Sequence, residues 1–232
     1  MDLILHDLTT GYAQHTVSHG LNARLHSGRL TCLLGPNGSG KSTLLRTISG
    51  AQAPLSGTVT PTDSRTLSIV LTNRIDVSHL RASDVVAMGR HPYTGYFGKP
   101  TTHDQAIILQ AMNTTGIRHL SHRNMTSLSD GEAQKVMIAK AIAQQTPVIL
   151  LDEPTAYLDF PSKVSLMLMM QDLAHNHGKT ILLSTHDISL ALKTADTLWL
   201  MNADGTMHTG TPEQLTQSNH IATYLGDSAQ YL

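Results

Sequence analysis

Gly35, Pro36, Asn37, Gly38, Ser39, Gly40, Lys41 and Ser42 fit the pattern GxxxxGK[ST], and no other segment restricts the fold as much. In that pattern the glycines let backbone N–H groups close around a phosphate, the lysine reaches the β- and γ-oxygens, and the final hydroxyl holds Mg²⁺. The flanks supply the context the pattern needs. Leu30-Thr-Cys-Leu-Leu34 is a short apolar, partly β-branched run, and Ser42 to Ser49 carries apolar residues at helical spacing up to a stop at Gly50. Strand, loop and helix in this order aim the unpaired N–H groups of the helix at a bound anion. The alternative is a chance glycine-rich turn, and both flanks argue against it.

Strand-like and helix-like patterns then divide the chain. Leu3 to Leu8 reads as a strand despite partial alternation, Gly11-Tyr12 as a turn, Pro54 to Val59 as a turn and short strand, and Leu67 to Leu71 as a buried strand. From Arg81 to Ala143 the segments 82–88, 104–112 and 132–143 read as helices with no convincing strand between them. After Pro147, strands return at 148–151, 180–184 and 197–201, with helices near 162–177 and 188–193. Alternating strands and helices imply an α/β fold with a mainly parallel sheet. The expected organisation is one domain over 1–232, with an α/β core in 1–80 and 145–232 and a helical subdomain in 81–144.

Two further strand ends carry chemistry. Leu150-Leu-Asp-Glu153 ends an apolar strand in adjacent acids, at the carboxyl edge where open α/β sheets bind ligands. There Asp152 is expected to hold Mg²⁺, and Glu153 to orient or deprotonate a water in line with the γ-phosphorus. A plain strand-end turn is the alternative. His186 follows the strand Thr180–Ser184, and parallel neighbours would bring it to the rim of Glu153, within reach of a γ-phosphate; standing alone, it would read as a solvated histidine. Ser129 to Glu132 fits a capping box at a helix start.

Tyr12, residues 35–42, Leu128-Ser-Asp-Gly-Glu132, Asp152-Glu153, Ala156-Tyr-Leu-Asp159 and His186 together resemble the adenine-stacking aromatic, Walker A, signature, Walker B, D-loop and switch histidine of the ATP-binding-cassette ATPases. The resemblance spans essentially the whole chain. It implies a P-loop NTPase (RecA-like) core with an N-terminal antiparallel β region and an inserted helical subdomain, binding ATP and Mg²⁺. It also implies nucleotide contacts from Tyr12, residues 35–42 and Thr43, and a head-to-tail pairing of two copies in which Ser129, Gly131 and Asp159 of each serve the ATP of the other. Two departures stand out. Asp130 and Glu132 replace the usual Gly and Gln, placing acids near a nucleotide anion, where repulsion weakens closure. The glutamine usual after Leu67–Leu71 is replaced by Thr72, followed by Asn73, so its Mg²⁺ contact falls to a hydroxyl of shorter reach.

Val85-Val-Ala-Met-Gly-Arg-His-Pro-Tyr93 resembles the subgroup that energises import of iron-siderophore, haem and cobalamin, in which this region faces the permease. An ordinary helix stop with an exposed aromatic is the alternative reading of Gly89, Arg90, Pro92 and Tyr93. The subgroup implies a peripheral ATPase on the cytoplasmic face of the inner membrane, partnered by an integral-membrane permease and, indirectly, by a substrate-binding protein. A soluble cassette ATPase of an iron–sulfur assembly complex shares the nucleotide motifs and is the competing reading. A chromosome-maintenance cassette is disfavoured, since only 88 positions separate Lys41 from Ser129 and leave no room for a long coiled coil.

Composition narrows the partners. A net charge of −1 offers no basic field for nucleic acid. Charged residues are 14%, below the roughly 25% of ordinary domains, which fits a surface partly covered by a partner. One cysteine excludes an internal disulfide and fits a reducing compartment, with Cys32 acting as a small buried hydrophobe. No signal peptide and no 18-residue apolar run is expected. The 14 histidines include His15 with His19 and His175 with His177 but no zinc-type Cys/His spacing, and they read as solvated.

Overall fold

The computed structural model describes residues 1–13, 15–61, 63, 66–71, 79–95 and 98–226. Among them β1 (Leu3–Tyr12), β2 (His15–Leu25) and β4 (Ser56–Thr60) form an antiparallel sheet in the order β2-β1-β4. The second sheet runs β5 (Leu67–Val70), β6 (Val148–Leu151), β7 (Thr180–Ser184), β3 (Leu30–Leu34), β8 (Thr197–Met201) and β9 (Met207–Gly210). Its pairings are parallel except that of β8 with β9.

Every residue of β3, β6 and β7 is buried, as parallel strands covered on both faces require. Successive side chains point to opposite faces. Leu33, Leu150, Leu182 and Trp199 pack toward the antiparallel sheet and α1 (Lys41–Ile48). Cys32, Leu34, Leu151 and Leu183 pack against α5 (Phe160–His175) and α6 (Ile188–Thr194). Burial pushes the Cys32 thiol up to about 12, so this side chain is an inert hydrophobe.

The helical segment has its own apolar cluster. α2 (Ala82–Ala87), α3 (Thr102–Thr114) and α4 (Asp130–Ala143) bury Val85, Val86, Ile107, Met112, Val136 and Ala139 against one another. α4 also turns Ile138 and Ala141 to the main core and so joins the two.

Several expectations change. Tyr12 is the last residue of β1, paired with His15, and the turn lies one residue on, at Ala13. Partial alternation in β1 follows from register shifts around Asp7, whose φ is 46°. β2 falls in the expected N-terminal antiparallel region though no strand is read from its residues, and β9, α7 (Pro212–Gln217) and α8 (His220–Leu225) lie outside the segments read from sequence. Two histidines that are close in sequence diverge: His175 meets Asp196 at 2.9 Å, and His177 faces Asp172 at 3.7 Å. Thr72 and Asn73 lie outside the described residues.

Candidate nucleotide site

β6, β7 and β3 are consecutive parallel strands, so the segments that follow them leave the sheet along one edge. Asp152-Glu153 follow β6, Thr185-His186 follow β7, and residues 35–42 follow β3. The structure therefore brings Glu153, His186 and the phosphate loop to one rim, with His186 Nε2 2.5 Å from Glu153 Oε1. Both line a cleft of about 390 Å³ that also takes in Lys163 and Leu225.

The loop is shaped to hold an anion. Gly38 and Gly40 have φ of 81° and 98°, conformations that L side chains rarely adopt. At Gly40 a Cβ would also fall 2.2 Å from Val17 Cγ1, so β2 presses directly on the loop. α1 starts at Lys41 with no side-chain cap and no acid in its first turn, which leaves its first N–H groups for a ligand. The buried Ser39 Oγ has no hydrogen-bond partner among the described residues. Lys41 is 5% exposed, and its Nζ donates to the carbonyls of Gly35 at 2.8 Å and Pro36 at 3.1 Å. Burial lowers the pKa of this ammonium, and the carboxylates of Glu153 and Asp152 oppose the shift. A cation, an uncapped helix and an orphaned hydroxyl together suit the phosphates of ATP.

Tyr12 is half exposed, and its hydroxyl lies 3.3 Å from Thr43 Oγ1, in the first turn of α1. That hydrogen bond, aided by Arg46, lowers the phenol's pKa. The hydroxyl thus holds the half-exposed ring beside the first turn of α1.

Ser129, Gly131 and Asp159 form a separate group at the starts of α4 and α5. Ser129 caps α4, and Asp159 caps α5 by accepting from Ser162 N at 3.1 Å. A Cβ on Gly131 would fall 2.9 Å from Leu158 Cδ2, so the two helix starts are packed together. Glu132 turns its carboxylate back to accept from Ser129 N at 2.8 Å and sits 3.8 Å from Arg123. The Ser129 N–H holds that carboxyl below its usual range. Glu132, one of the two acids expected to repel a nucleotide, is thus engaged at the start of its own helix.

The stretch expected to face a permease is split in two. Gly89 and Arg90 are buried: a Cβ on Gly89 would fall 2.3 Å from Lys140 O, and Arg90 donates to Asp104 Oδ1 and to Ala143 O, both at 2.9 Å. These two build the scaffold, and only His91, Pro92 and Tyr93 are exposed. Sequence reasoning also overlooked Ser184 and Val17. Alternation through Val17, Leu21, Ala23 and Leu25 is the signal that marks β2.

Residues 18–156 match the family model described as ABC transporter. An ABC transporter ATP-binding protein of Methanocaldococcus jannaschii, named as uncharacterized, is 39% identical over 220 residues, covering 90% of this chain and 76% of that one. The achromobactin transport ATP-binding protein of Dickeya dadantii is 32% identical over 228 residues, covering 94% and 85%. Among solved structures, an inward-facing ABC transporter described as of metal-chelate type superposes with a TM-score of 0.87 at 30% identity, covering 96% of this chain and 88% of that one.

Proposed function

This chain belongs to the ABC transporter family, and on that premise we propose that it is the ATP-hydrolysing subunit of an importer for a metal chelate: an iron siderophore, haem or cobalamin. The observation that carries the catalytic part is the Glu153–His186 contact on the rim shared with the phosphate loop.

Lys41 and the first N–H groups of α1 take the phosphate oxygens, Lys41 exchanging the Gly35 and Pro36 carbonyls for them. Ser42 and Asp152 would hold Mg²⁺, which supplies neutralisation of the β- and γ-oxygens. One hydroxyl and one carboxylate are too few for a divalent ion, so phosphate oxygens and water complete the set. Glu153 orients the attacking water and accepts its proton as the bond between the γ-phosphorus and the departing ADP oxygen breaks. His186 Nε2 exchanges the Glu153 carboxylate for a γ-phosphate oxygen, to which it donates, and leaves that carboxylate to the water. Tyr12 stacks on adenine.

Ser129, Gly131 and Asp159 sit at the starts of α4 and α5 and serve the nucleotide of a second copy in a head-to-tail dimer. The exposed His91–Tyr93 face meets a membrane permease, with the chain at the cytoplasmic face of the inner membrane and a substrate-binding protein delivering cargo from the other side. Likeness to a siderophore transport subunit and to a metal-chelate type transporter supports transport over the soluble iron–sulfur assembly reading.

The test is uptake of a ferric siderophore into vesicles carrying the permease and this chain. Uptake should require ATP and cease with Glu153→Gln, which still binds ATP but loses turnover by about 100-fold or more. A variant that hydrolyses and transports at the parent rate would remove Glu153 from this role.

A further inference from the structure

Ser184 ends β7, is fully buried, and follows the apolar run Ile181–Leu183. A hydroxyl there must find hydrogen-bond partners, because an unpaired one in such surroundings is costly. It finds them in the two acids that follow the neighbouring strand β6. Ser184 Oγ lies 2.7 Å from Asp152 Oδ1 and 2.8 Å from the backbone nitrogen of Glu153. A hydroxyl has one hydrogen, and an ionised carboxylate can only accept. The Ser184 proton therefore points to Asp152, and its lone pair receives the Glu153 N–H.

Glu153 is fastened from two directions by the same strand end. Its N–H is held by Ser184, which ends β7, and its carboxylate by His186, two positions on. The Glu153 backbone has φ of 48°, a left-handed conformation that non-glycine residues adopt only where the surroundings hold them. Ser184 supplies one of those restraints and at the same time sets the rotation of the Asp152 carboxylate.

We propose that Ser184 is a positioning residue that couples the two acids of the site, orienting Asp152 toward Mg²⁺ and holding Glu153 in its left-handed turn toward the attacking water. This rests on the ATPase reading above. Ser184 touches neither metal nor nucleotide and acts through Asp152 and Glu153. An alanine would fill almost the same volume, so the hydroxyl matters for what it bonds to more than for packing.

The experiment compares Ser184→Ala, Ser184→Thr and Ser184→Cys in the full chain by two readouts. One is the rise in melting temperature with ATP in EDTA and with ATP plus Mg²⁺; the other is the Mg²⁺ dependence of turnover in the permease complex. Ser184→Ala should keep the rise given by ATP in EDTA, which reports the phosphate loop. It should need about 10–100-fold more Mg²⁺, or lose kcat by that factor, with little change in KM for ATP, as for other partners that orient metal ligands. Ser184→Thr keeps the hydroxyl and should restore the Mg²⁺ response, with Ser184→Cys between. Parent-like Mg²⁺ dependence and kcat in Ser184→Ala overturns the proposal, as does loss of the EDTA response, which would mark a purely structural role. Should Ser184→Ala not fold, equal Mg²⁺ responses for Thr and Cys would overturn it equally well. A parent chain with no turnover in the complex would instead remove the ATPase reading, while the Mg²⁺-dependent melting shift still tests Ser184.

Discussion

At the scale of single residues, the candidate site is built from side chains whose polar ends already have partners within the chain. Lys41 bonds two loop carbonyls, and His186 bonds Glu153. Tyr12 differs, since only its hydroxyl is engaged and its ring stays half exposed. Stacking of a base on an aromatic ring is worth about 1–3 kcal/mol by alanine substitution. Tyr12→Ala should therefore weaken ATP binding, measured by calorimetry, by about 5- to 150-fold, while Tyr12→Phe keeps most of the affinity. Parent-like binding by the alanine variant would mean that the ring merely covers α1. The motif spacing pointed to Lys41, Asp152 and Glu153 because each sits at a set distance from a strand end. Ser184 escaped notice because a serine ending an apolar strand has many uses, and its partners lie more than thirty positions away.

At the scale of elements, α4 links the two apolar clusters, and its C-terminal end is clamped by Arg90. That guanidinium reaches Asp104 on α3, Ala143 O at the end of α4 and Gln145 Oε1, and lies 3.9 Å over the Tyr93 ring. Tyr93 in turn donates to Gln144 O at 2.7 Å. Hydrogen bonds from Thr101, then from Arg90, bring the Asp104 pKa from 3.8 down to about 2. A depressed folded-state pKa contributes stability that is present above the unfolded value and lost as pH falls through the folded one. The parent's advantage in melting temperature over Asp104→Asn should thus be constant above pH 3.8 and shrink between there and about 2. An advantage that persists unchanged at the acid end would show that Asp104 acts through packing alone. The Gly89-Arg90 pair reads from sequence as part of a permease-facing stretch or, alternatively, of a helix stop with an exposed aromatic. Its burial depends on α4 lying against it, which no local pattern reveals.

At the scale of the whole molecule, the exposed apolar side chains mark where another copy is expected. Tyr157 is 48% and Phe160 65% exposed, on either side of Asp159, and the Tyr157 backbone lies beside Gly131. Among the described residues no helix is long and apolar enough to cross a membrane. In the Glu153→Gln background, Mg²⁺ and ATP should convert monomer to dimer in sedimentation velocity. Adding Phe160→Asp should abolish the dimer while shifting stability by no more than about 0.5 kcal/mol, as exposed substitutions do. A dimer that survives the added charge would place the interface elsewhere.

The local chemistry of the chain was sufficient for the strand–loop–helix around residues 35–42, the buried parallel strands and the order of the motifs. Each rests on a short-range cause: glycine's backbone freedom, apolar runs covered on both faces, and capping residues at fixed offsets. Packing settled the rest. The polar, interrupted β2 became a strand because β1 pairs with it, and β9 joined the sheet antiparallel to β8. Arg90 went inside because three backbone and side-chain acceptors converge there, and Ser184 reached both acids because β7 lies next to β6. These outcomes hang on contacts between residues far apart in the chain, whose free energy exists only once the strands and helices have come together.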